Sequence, residues 1–278
     1  MDFDLTEEQR LLKESLDRLL GDHYAFEQRK AYTQAPEGWS RELWEKYAEL
    51  GLLGLPFAEE YGGSAGGPVE TMIAMEGFGR ALTLEPFLAT VVLGGGFLRH
   101  GGTAEQCADL VPRIADGSLT MALAQTERHS RYNQADISTR AVRDGAAWVL
   151  DGEKGVVLHG DTAAKLVVTA RIGGGQRERE GVAAFIVDGN AAGVSRRGYP
   201  TQDGLRAAEI TLASVRVGPE GVLGEPGAAL PLVEQVVDEA IAALCAEAVG
   251  AMAAMHEITV DYLKTRRQFG REIGSFQI

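Results

Sequence analysis

Apolar residues recur at helical spacing through the first 117 residues of the chain. Thr6 and Gln9 have the spacing of a capping box, and the leucines that follow predict an amphipathic helix: Leu11, Leu12, Leu16, Leu19 and Leu20. Further helical stretches are predicted over 40–51, 68–82 and 86–99. The three glycines at 94–96 lack the strand–loop–helix context of a phosphate loop, so we expect them to serve helix packing or a helix kink. The sequence therefore predicts an N-terminal helical domain over 1–117.

Between residues 118 and 225 the apolar period changes to two. The alternating or apolar runs are 119–125, 148–150, 165–171, 182–187 and 209–217. Turn signals occur at Asp144-Gly145, at Asp151-Gly152 and at 173–175, and no helix-length segment interrupts the runs. We therefore expect a central antiparallel β domain over 118–225, barrel-like or sandwich-like, which excludes a Rossmann nucleotide site.

The last segment, 226–278, carries a long apolar stripe. Its members recur in steps of three and four residues: Val233, Val237, Ile241, Leu244, Ala248, Met252, Met255, Ile258 and Tyr262. Such a stripe is typical of a helix in a bundle. The sequence stops at Ile278, where the next helix should begin, so we expect an incomplete C-terminal helical bundle. The predicted fold class is α+β and multidomain.

Charge and composition narrow the classes of function. The formal net charge is −13 and the pI is near 4.9, which argues against a nucleic acid or an anionic membrane as partner. No segment reads as a membrane span or a signal peptide, so we expect a cytoplasmic protein. Cys107 and Cys245 lack metal-ligand spacing and are expected to be reduced thiols. No metal site is predicted.

A motif near the C-terminus carries the strongest resemblance. The run Arg266-Arg267-Gln268-Phe269-Gly270, with Ile273 and Phe276-Gln277, resembles the R-x-F-G…Q motif of acyl-CoA dehydrogenases. In that family the arginine reaches the FAD pyrophosphate bound by the adjacent subunit, a role that suits the forked donors of guanidinium. The resemblance implies that Arg267, Phe269 and Gln277 contact FAD in a neighbouring subunit. It also implies an oligomer, most simply a homo- or hetero-tetramer.

Three further stretches are similar to the same family. They are 204–210 with 215–217, the loop 59–63, and the segment 150–154, which matches an L-x-G-x-K hairpin. Together with the C-terminal motif they cover nearly the whole chain and imply the three-part fold of the family. Within the superfamily, the chain from Asp2-Phe3-Asp4-Leu5 onward resembles most closely the group of pimeloyl-CoA dehydrogenase small subunits.

The resemblance places a flavin site in the β domain. The family's T-E-P-G-A-G-S-D strand end corresponds to 126–133, of which only Thr126-Glu127 is retained. Gln125 and Thr126 are expected to contact the cofactor. The family's next strand carries W-I-T, and Val156, Val157 and Leu158 stand in those positions. The aromatic ring and the hydroxyl are absent, and we expect this loss to weaken FAD binding by roughly two to four orders of magnitude.

Four polar side chains flank this expected site. Arg131 and Tyr132 place bulk where the family has small residues, and they are candidate contacts for an acyl-CoA phosphate or for a polar acyl terminus. His129 and His159 are expected to be solvated or hydrogen-bonded rather than catalytic.

Desaturation of an acyl-CoA needs a carboxylate that removes the α-proton. On the long helix, the resemblance places Ala240 where some members carry this glutamate, and Asp238 at a residue on the CoA side. Glu239 is the best substitute for this base in the chain; the alternative is that Glu239 lies on a solvent-facing side of the helix and has no catalytic role. Glu247 is expected to pack between helices. Most members place their base beyond the point where this chain ends. The catalytic residue is therefore left unassigned.

Three hypotheses about function follow. The resemblance implies FAD-dependent α,β-dehydrogenation of an acyl-CoA thioester, for which a dicarboxylyl-CoA such as pimeloyl-CoA is a candidate, with an electron-transfer flavoprotein as electron acceptor. The second hypothesis is a non-catalytic or half-site subunit that lends Arg267 and Gln277 to the FAD of a partner. The third is a flavin-dependent monooxygenase or oxidase on the same fold.

Overall fold

The computed structural model describes residues 4–276. Its first part is helical and consists of α1 (Glu7–His23), α2 (Phe26–Tyr32), α3 (Arg41–Glu49), α4 (Pro68–Ala81), α5 (Gly95–Gly101) and α6 (Ala104–Ala115). The predicted capping box is confirmed at the start of α1, where the Gln9 N–H donates to the Thr6 hydroxyl at 3.2 Å and the Thr6 N–H donates to Gln9 Oε1 at 3.0 Å. The helices α2 and α6 fall within the helical domain predicted over 1–117, although the periodicity gave them no bounds of their own.

Aromatic side chains and one carboxylate form the centre of this helical part. The rings pack at tilted or edge-to-face angles and are buried: Trp39, Trp44, Tyr47, Phe78 and Phe87. Glu85 accepts hydrogen bonds from the Tyr24 hydroxyl at 3.0 Å and from the Ser40 N–H at 3.1 Å. Burial raises the pKa of Glu85, although these hydrogen bonds oppose the shift.

A π-helix, Leu88–Gly94, runs directly into α5. The Thr90 hydroxyl donates to the Met121 carbonyl at 3.2 Å and accepts from the Met121 N–H at 3.1 Å, which ties this helix to the first strand. A β-carbon on any of the three glycines at 94–96 would approach a different neighbour closely; the pairs are Gly94 with Met121, Gly95 with Phe57 and Gly96 with Val236. The predicted packing role of these glycines is confirmed.

The second part is a sheet of eight strands. These are β1 (Met121–Ala124), β2 (Arg140–Asp144), β3 (Ala147–Leu158), β4 (Lys165–Arg171), β5 (Val182–Asp188), β6 (Val194–Pro200), β7 (Arg206–Val217) and β8 (Val222–Gly227). Their order is β6-β7-β3-β2-β4-β5-β8, and β1 pairs with β4 outside this path. Most neighbours are antiparallel, as predicted, but β1 and β2 each pair with β4 in parallel. The sheet is mixed and does not close into a barrel.

Two of the three expected turns lie between strands. Asp144-Gly145 begins the turn from β2 to β3, and 173–175 follows β4. The third expectation is wrong, because Asp151-Gly152 lies inside β3, at a shift of register between Leu150 and Gly152. A β-carbon on Gly152 would lie 2.5 Å from the Thr139 hydroxyl. Glycine serves both turns and bulges, so the dipeptide alone does not distinguish them.

The third part is one long helix, α7 (Leu230–Thr265), followed by the short strands β9 (Arg267–Gln268) and β10 (Arg271–Glu272). Helix α7 crosses α4 closely at two glycines, one on each helix. A β-carbon on Gly79 would lie 1.9 Å from the Glu247 carbonyl oxygen, and one on Gly250 would lie 1.9 Å from the Glu76 carbonyl oxygen. The predicted apolar stripe is exposed from Ile241 onward: Ile241, Leu244, Ala248, Met252, Met255, Ile258 and Tyr262. The buried face of α7 runs instead through Val233, Val236, Ala240, Ala243, Ala246 and Gly250. The predicted α+β class is confirmed. Among the described helices, none has the length and apolarity that crossing a membrane requires.

Candidate functional site

A cleft of about 460 Å³ lies where β1, β3, the π-helix and α7 meet. Most of its walls are apolar, and they are formed by Leu88, Leu93, Leu123, Val156, Leu158, Val237, Ala240, Ile241 and Leu244. Its polar lining comes from one stretch of chain, Gln125 with Thr126 and the loop residues 131–134. Seven of the residues that the resemblance singles out line this one cleft: Gln125, Thr126, Arg131, Tyr132, Val156, Leu158 and Ala240.

Gln125 and Thr126 stand at the start of the polar stretch. The Thr126 carbonyl accepts from the Gly155 N–H at 2.8 Å, which fixes this stretch against β3. The Gln125 Nε2 donates to the Gln134 carbonyl at 3.0 Å, so this amide braces the loop. Gln134 also lines the cleft, and its own Oε1 atom is buried without a hydrogen-bond partner in the part of the chain that the structure describes. Sequence reasoning missed Gln134, because a single polar loop residue belongs to no pattern.

Glu127 and Lys154 form a buried ion pair beneath this loop. The Glu127 carboxylate accepts from Lys154 Nζ at 2.8 Å, from the Ser138 and Thr139 N–H groups at 2.8 and 3.0 Å, and from the Ser138 hydroxyl. Burial alone would raise the pKa of Glu127, but the Lys154 charge and these hydrogen bonds hold it at about 2. The retained Thr-Glu pair and the L-x-G-x-K segment therefore meet in one contact.

Arg131 and Tyr132 occupy the tip of the loop. Both are exposed, Tyr132 completely, and Arg131 has a left-handed backbone with φ +46°. Arg128, on the same loop, binds Glu209 at 2.8 Å. Unlike Arg128, Arg131 forms no ion pair within residues 4–276. Arg131 is therefore an uncompensated cation at the cleft.

The three residues that stand for W-I-T lie on two faces of β3. Val156 and Leu158 line the cleft, whereas Val157 is only 1% exposed and packs in the core of the sheet. Neighbouring side chains of a strand point to opposite faces, so the Val157 side chain does not contact the cleft. Val156 has φ +53° at a bulge between Lys154 and Val157, a conformation that is rare for a β-branched residue.

No carboxylate lines the cleft among the described residues. Ala240 lies on its α7 wall, at the position where some relatives carry a base, but Asp238 is exposed and does not line it. Glu239 accepts hydrogen bonds from Arg99 Nη2 at 2.5 Å and His100 Nε2 at 2.7 Å, and it lines a separate cavity of about 270 Å³. Because Glu239 lines that other cavity and not the cleft, it is not positioned as a base in the cleft.

Three other titratable residues lie away from the cleft. Burial raises the pKa of Glu247, which stands at the crossing of α4 and α7. Burial lowers the pKa of His159 to about 4, so this histidine is neutral near pH 7. His129 contacts Asp136 at 3.1 Å. Within residues 4–276, no cluster of His, Cys, Asp and Glu could hold a metal ion.

The C-terminal motif lies far from the cleft of its own protomer. The 21 residues of α7 from Leu244, which lines the cleft, to Thr265 span about 32 Å at 1.5 Å per residue. Arg267 and Phe269 follow that helix end, and Phe269 is 93% exposed. Gln277, the third residue assigned to this motif, lies outside the described residues.

Comparisons with known proteins agree with this geometry. The family description "Acyl-CoA dehydrogenase, N-terminal domain" matches residues 6–118, and "Acyl-CoA dehydrogenase, middle domain" matches residues 122–215. The chain is 30% identical to the probable acyl-CoA dehydrogenase YngJ of Bacillus subtilis (strain 168), over 100% of the chain and 74% of that protein. It is 32% identical to acyl-CoA dehydrogenase FadE12 of Mycobacterium tuberculosis (strain ATCC 25618 / H37Rv), over 85% of the chain and 62% of that protein.

A solved structure gives the same assignment. The Tcur3481-Tcur3483 steroid ACAD G363A variant superposes with a TM-score of 0.86 at 31% identity, over 97% of this chain and 70% of that one. The helical part, the mixed sheet and the long helix thus correspond to the arrangement of known relatives. The chain belongs to the acyl-CoA dehydrogenase family of flavin-dependent oxidoreductases.

Proposed function

We propose that this chain is a subunit of an FAD-dependent enzyme that dehydrogenates an acyl-CoA thioester between its α and β carbons. The supporting observation is a cleft that combines apolar walls with one polar, cationic stretch of chain. Apolar walls suit an acyl chain and a flat ring system, and a cation suits the phosphate groups that CoA and FAD share. FAD, when bound, would supply the acceptor for the β-hydride.

The residues of the cleft fit this cofactor. Thr126 supplies a hydroxyl, Val156 and Leu158 supply an apolar wall, and Gln134 carries a polar atom without a partner among residues 4–276. The uncompensated charge of Arg131 suits a pyrophosphate or a CoA phosphate. The aromatic ring and the threonine hydroxyl of the family's W-I-T are absent, so we expect the fit to be loose.

We further propose that Arg267, Phe269 and Gln277 serve the cleft of a neighbouring subunit. The roughly 32 Å of helix between Leu244 in the cleft and the end of α7 supports this, because that length separates Arg267 from its own cleft. Arg266 is also exposed and belongs to the same motif, so both arginines enter the test. The proposal implies a homo- or hetero-tetramer in the cytoplasm, with an electron-transfer flavoprotein as acceptor.

The finer substrate proposal is a dicarboxylyl-CoA such as pimeloyl-CoA. A carboxylate at the far end of the acyl chain needs a cation, and Arg131 is the only cation among the described residues that line the cleft. Tyr132 could donate a further hydrogen bond. Comparing the affinities of pimeloyl-CoA and heptanoyl-CoA tests this point, because the two differ mainly by that carboxylate.

A second candidate function is a half-site subunit, whose own cleft is not catalytic. The loss of the family's W-I-T ring and hydroxyl from this cleft, beside the retained C-terminal motif, favours it, as does the relation of the chain to a steroid ACAD whose name joins two components. In that case the complete site would belong to a paralogous partner, to which this chain would contribute Arg267 and Gln277.

One experiment separates these candidates. The chain is purified alone and together with a paralogous acyl-CoA dehydrogenase, and the flavin absorbance is recorded before and after acyl-CoA is added. A yellow chain that bleaches alone supports the enzyme. A colourless chain that forms a yellow, active pair, and loses flavin from the pair when Arg266 and Arg267 are both replaced by Met, supports the half-site subunit. Flavin that acyl-CoA does not bleach, but that reacts with oxygen after reduction by a reductase, contradicts both and indicates a monooxygenase.

A further inference from the structure

The loop that joins β4 to β5, residues 172–181, is bound to two elements that form the walls of the cleft. One is the cleft loop (125–139), which joins β1 to β2 and carries the polar lining. The other is α7, which contributes Val237 and Ala240 to the apolar wall. The structure describes all of residues 172–181, and none of them lines the cleft itself. The β4–β5 loop therefore acts on the cleft through the elements that it connects.

The contact between the β4–β5 loop and the cleft loop is buried. The Asp136 carboxylate, 3% exposed, accepts from Gln176 Nε2 at 2.7 Å and from Arg177 Nε at 2.8 Å. The buried Arg171 donates from Nη2 to the carbonyl oxygens of Ala135 at 2.7 Å and Gln176 at 3.0 Å. Removing one partner from a buried, charged contact is strongly destabilising. We therefore expect these two loops to move as one unit.

The contact between the β4–β5 loop and α7 is exposed. Arg179 donates from Nη1 and Nη2 to the two carboxylate oxygens of Glu234, at 2.7 and 2.6 Å. The two side chains are 60% and 37% exposed. An exposed ion pair changes an equilibrium by a factor of about two to five. Because Glu234 lies three residues before Val237, this weaker contact is the one that ties the two loops to the α7 wall.

The start of α7 is attached to the sheet independently of this ion pair. The Ala229 N–H donates to the Val182 carbonyl at 3.0 Å, and Leu230 and Val233 are buried. Loss of the ion pair should therefore leave the helix folded and in place. What it should change is the spacing between the helix and the cleft loop.

We infer that Arg179 and Glu234 are positioning residues, whose ion pair holds the cleft loop at a fixed distance from α7 and thereby raises the affinity of the cleft for its ligand. Neither side chain lines the cleft. A ligand that contacts both walls at once binds more tightly when their spacing is set in advance. The inference rests on the proposed function, because the ligand of the cleft is taken there to be FAD or an acyl-CoA.

The spacing is measured first, without any ligand. One spin label is attached to Cys245, which is exposed on α7, and a second to the tip of the cleft loop through Tyr132→Cys. Cys107, the other native cysteine, is buried and should remain unlabelled. Pulsed electron spin resonance then gives the distribution of distances between the two labels.

Four variants are compared in this labelled protein. Arg179→Met should broaden the distance distribution, and Arg179→Glu should broaden it further because it faces Glu234 with a like charge. The exchange of charges in Arg179→Glu with Glu234→Arg should restore the narrow distribution, which a loop damaged in another way would not show. Arg216→Met is the matched control: it removes an exposed ion pair with Asp144 within the sheet and should change nothing.

The affinity is measured next on the unlabelled full chain, or on its pair with the paralogue where the two co-purify. FAD is titrated by quenching of its fluorescence and CoA by calorimetry. Arg179→Met should raise the Kd about two- to fivefold. The ratio of the two Kd values should fall toward one as salt is raised from about 20 to about 500 mM, because salt screens an exposed pair. The exchange of charges should restore the Kd, and Arg216→Met should leave it unaltered.

The outcomes separate this inference from the proposed function. An unchanged distance distribution in Arg179→Met overturns the inference, as does a broadened distribution with no change in either Kd. Failure of the exchanged charges to restore both quantities overturns it as well. If the unmodified protein binds neither FAD nor CoA, the proposed function is overturned and the effect on affinity with it, whereas the spin-label distances still decide whether the ion pair sets the spacing.

Discussion

Lys154 Nζ lies 2.8 Å from Glu127 Oε1, and both side chains are buried where β3 passes beneath the loop at the cleft. Two segments that are 27 residues apart in the chain are joined there by one ion pair. The carboxylate also accepts the N–H groups of Ser138 and Thr139, which lie on the far side of the loop. One side chain therefore holds the start and the end of the polar lining together.

Breaking this pair is expected to destabilise the protein strongly. In Lys154→Met the Glu127 carboxylate remains buried without its counter-charge, so the free energy of unfolding should fall by about 3–5 kcal/mol. Urea denaturation followed by circular dichroism measures it. The matched control is Lys165→Met, which removes the more exposed pair with Asp188 and should cost less than about 1 kcal/mol. Equal losses in the two variants would contradict the assigned importance of the buried pair.

The same pair predicts an acid transition. The pKa of Glu127 in the folded protein, about 2, lies below its usual value of 4.5, so the unfolded chain takes up a proton first as the pH falls. The stabilisation, about 3 kcal/mol, is fully present above pH 4.5 and is lost between 4.5 and 2. Urea unfolding at pH 7, 4 and 3 measures it. In Glu127→Gln this part of the pH dependence should disappear, and an unchanged slope would refute the assignment.

Glu85 predicts a slope of the opposite sign. Burial raises the pKa of Glu85 above 4.5, so the folded protein holds this proton more tightly than the unfolded chain does. Its contribution to stability is present below pH 4.5 and is lost as the pH rises through the raised pKa. Glu85→Gln keeps a hydrogen-bonding group near Tyr24 and Ser40, and it should lessen the fall in stability from pH 4.5 toward neutral. A steeper fall in this variant would contradict the prediction.

Much of this fold could be predicted from periodicity alone. The capping box of Thr6 and Gln9, the bounds of β4 and the helical course of α7 follow from local pattern, and the structure confirms them. The predicted stripe of α7 is not its buried face, since only Val233 of that stripe is buried. The parallel pairing of β1 with β4 could not be predicted, because a non-local strand pair leaves no mark in either strand's sequence. The prediction of a turn at Asp151-Gly152 was wrong for a related reason. The close approach of Gly152 to Thr139 comes from tertiary packing, which the local sequence does not show.

The residues of the candidate site could likewise be predicted only in part. Resemblance found Thr126, Val156 and Leu158 because each belongs to a family motif, and all three line the cleft. Gln134 belongs to no motif, and only the structure brings it to the cleft. Val157 lies on the expected strand, but neighbouring side chains of a strand alternate between its faces, so the Val157 side chain lies in the core of the sheet.

Two glycine-to-alanine substitutions, one at the crossing of α4 and α7 and one away from it, should have opposite effects on stability. In Gly250→Ala the new β-carbon would lie 1.9 Å from the Glu76 carbonyl oxygen, so the helices must separate and stability should fall by about 1–3 kcal/mol or more. Gly21→Ala, in α1, meets nothing within 4 Å and should gain about 0.5–1 kcal/mol from helix propensity. Thermal unfolding of both variants decides, and a stabilised Gly250→Ala would show that the crossing is looser than described.

The exposed half of the α7 stripe predicts association with other helices. Ile258→Glu places a charge among Met255, Tyr262 and their neighbours, so an assembly that covers this face should dissociate or shrink. Light scattering after gel filtration measures its mass. Val69→Glu, at an exposed valine of α4, is the matched control and should leave the mass unchanged. An unaltered mass for Ile258→Glu would mean that the stripe is not an interface in solution.

Restoring the family's residues to the cleft wall should tighten flavin binding. Val156→Trp with Leu158→Thr adds an aromatic surface and a hydroxyl at two positions that line the cleft, and we expect the Kd of FAD to fall by about one to two orders of magnitude. Quenching of flavin fluorescence during titration measures this Kd. Val142→Trp adds the same ring at an exposed position of β2 and should have no effect. If the double variant binds FAD no more tightly than the unmodified chain, Val156 and Leu158 do not contact the isoalloxazine ring. The weak binding of FAD would then have its cause in the loop and not in this wall.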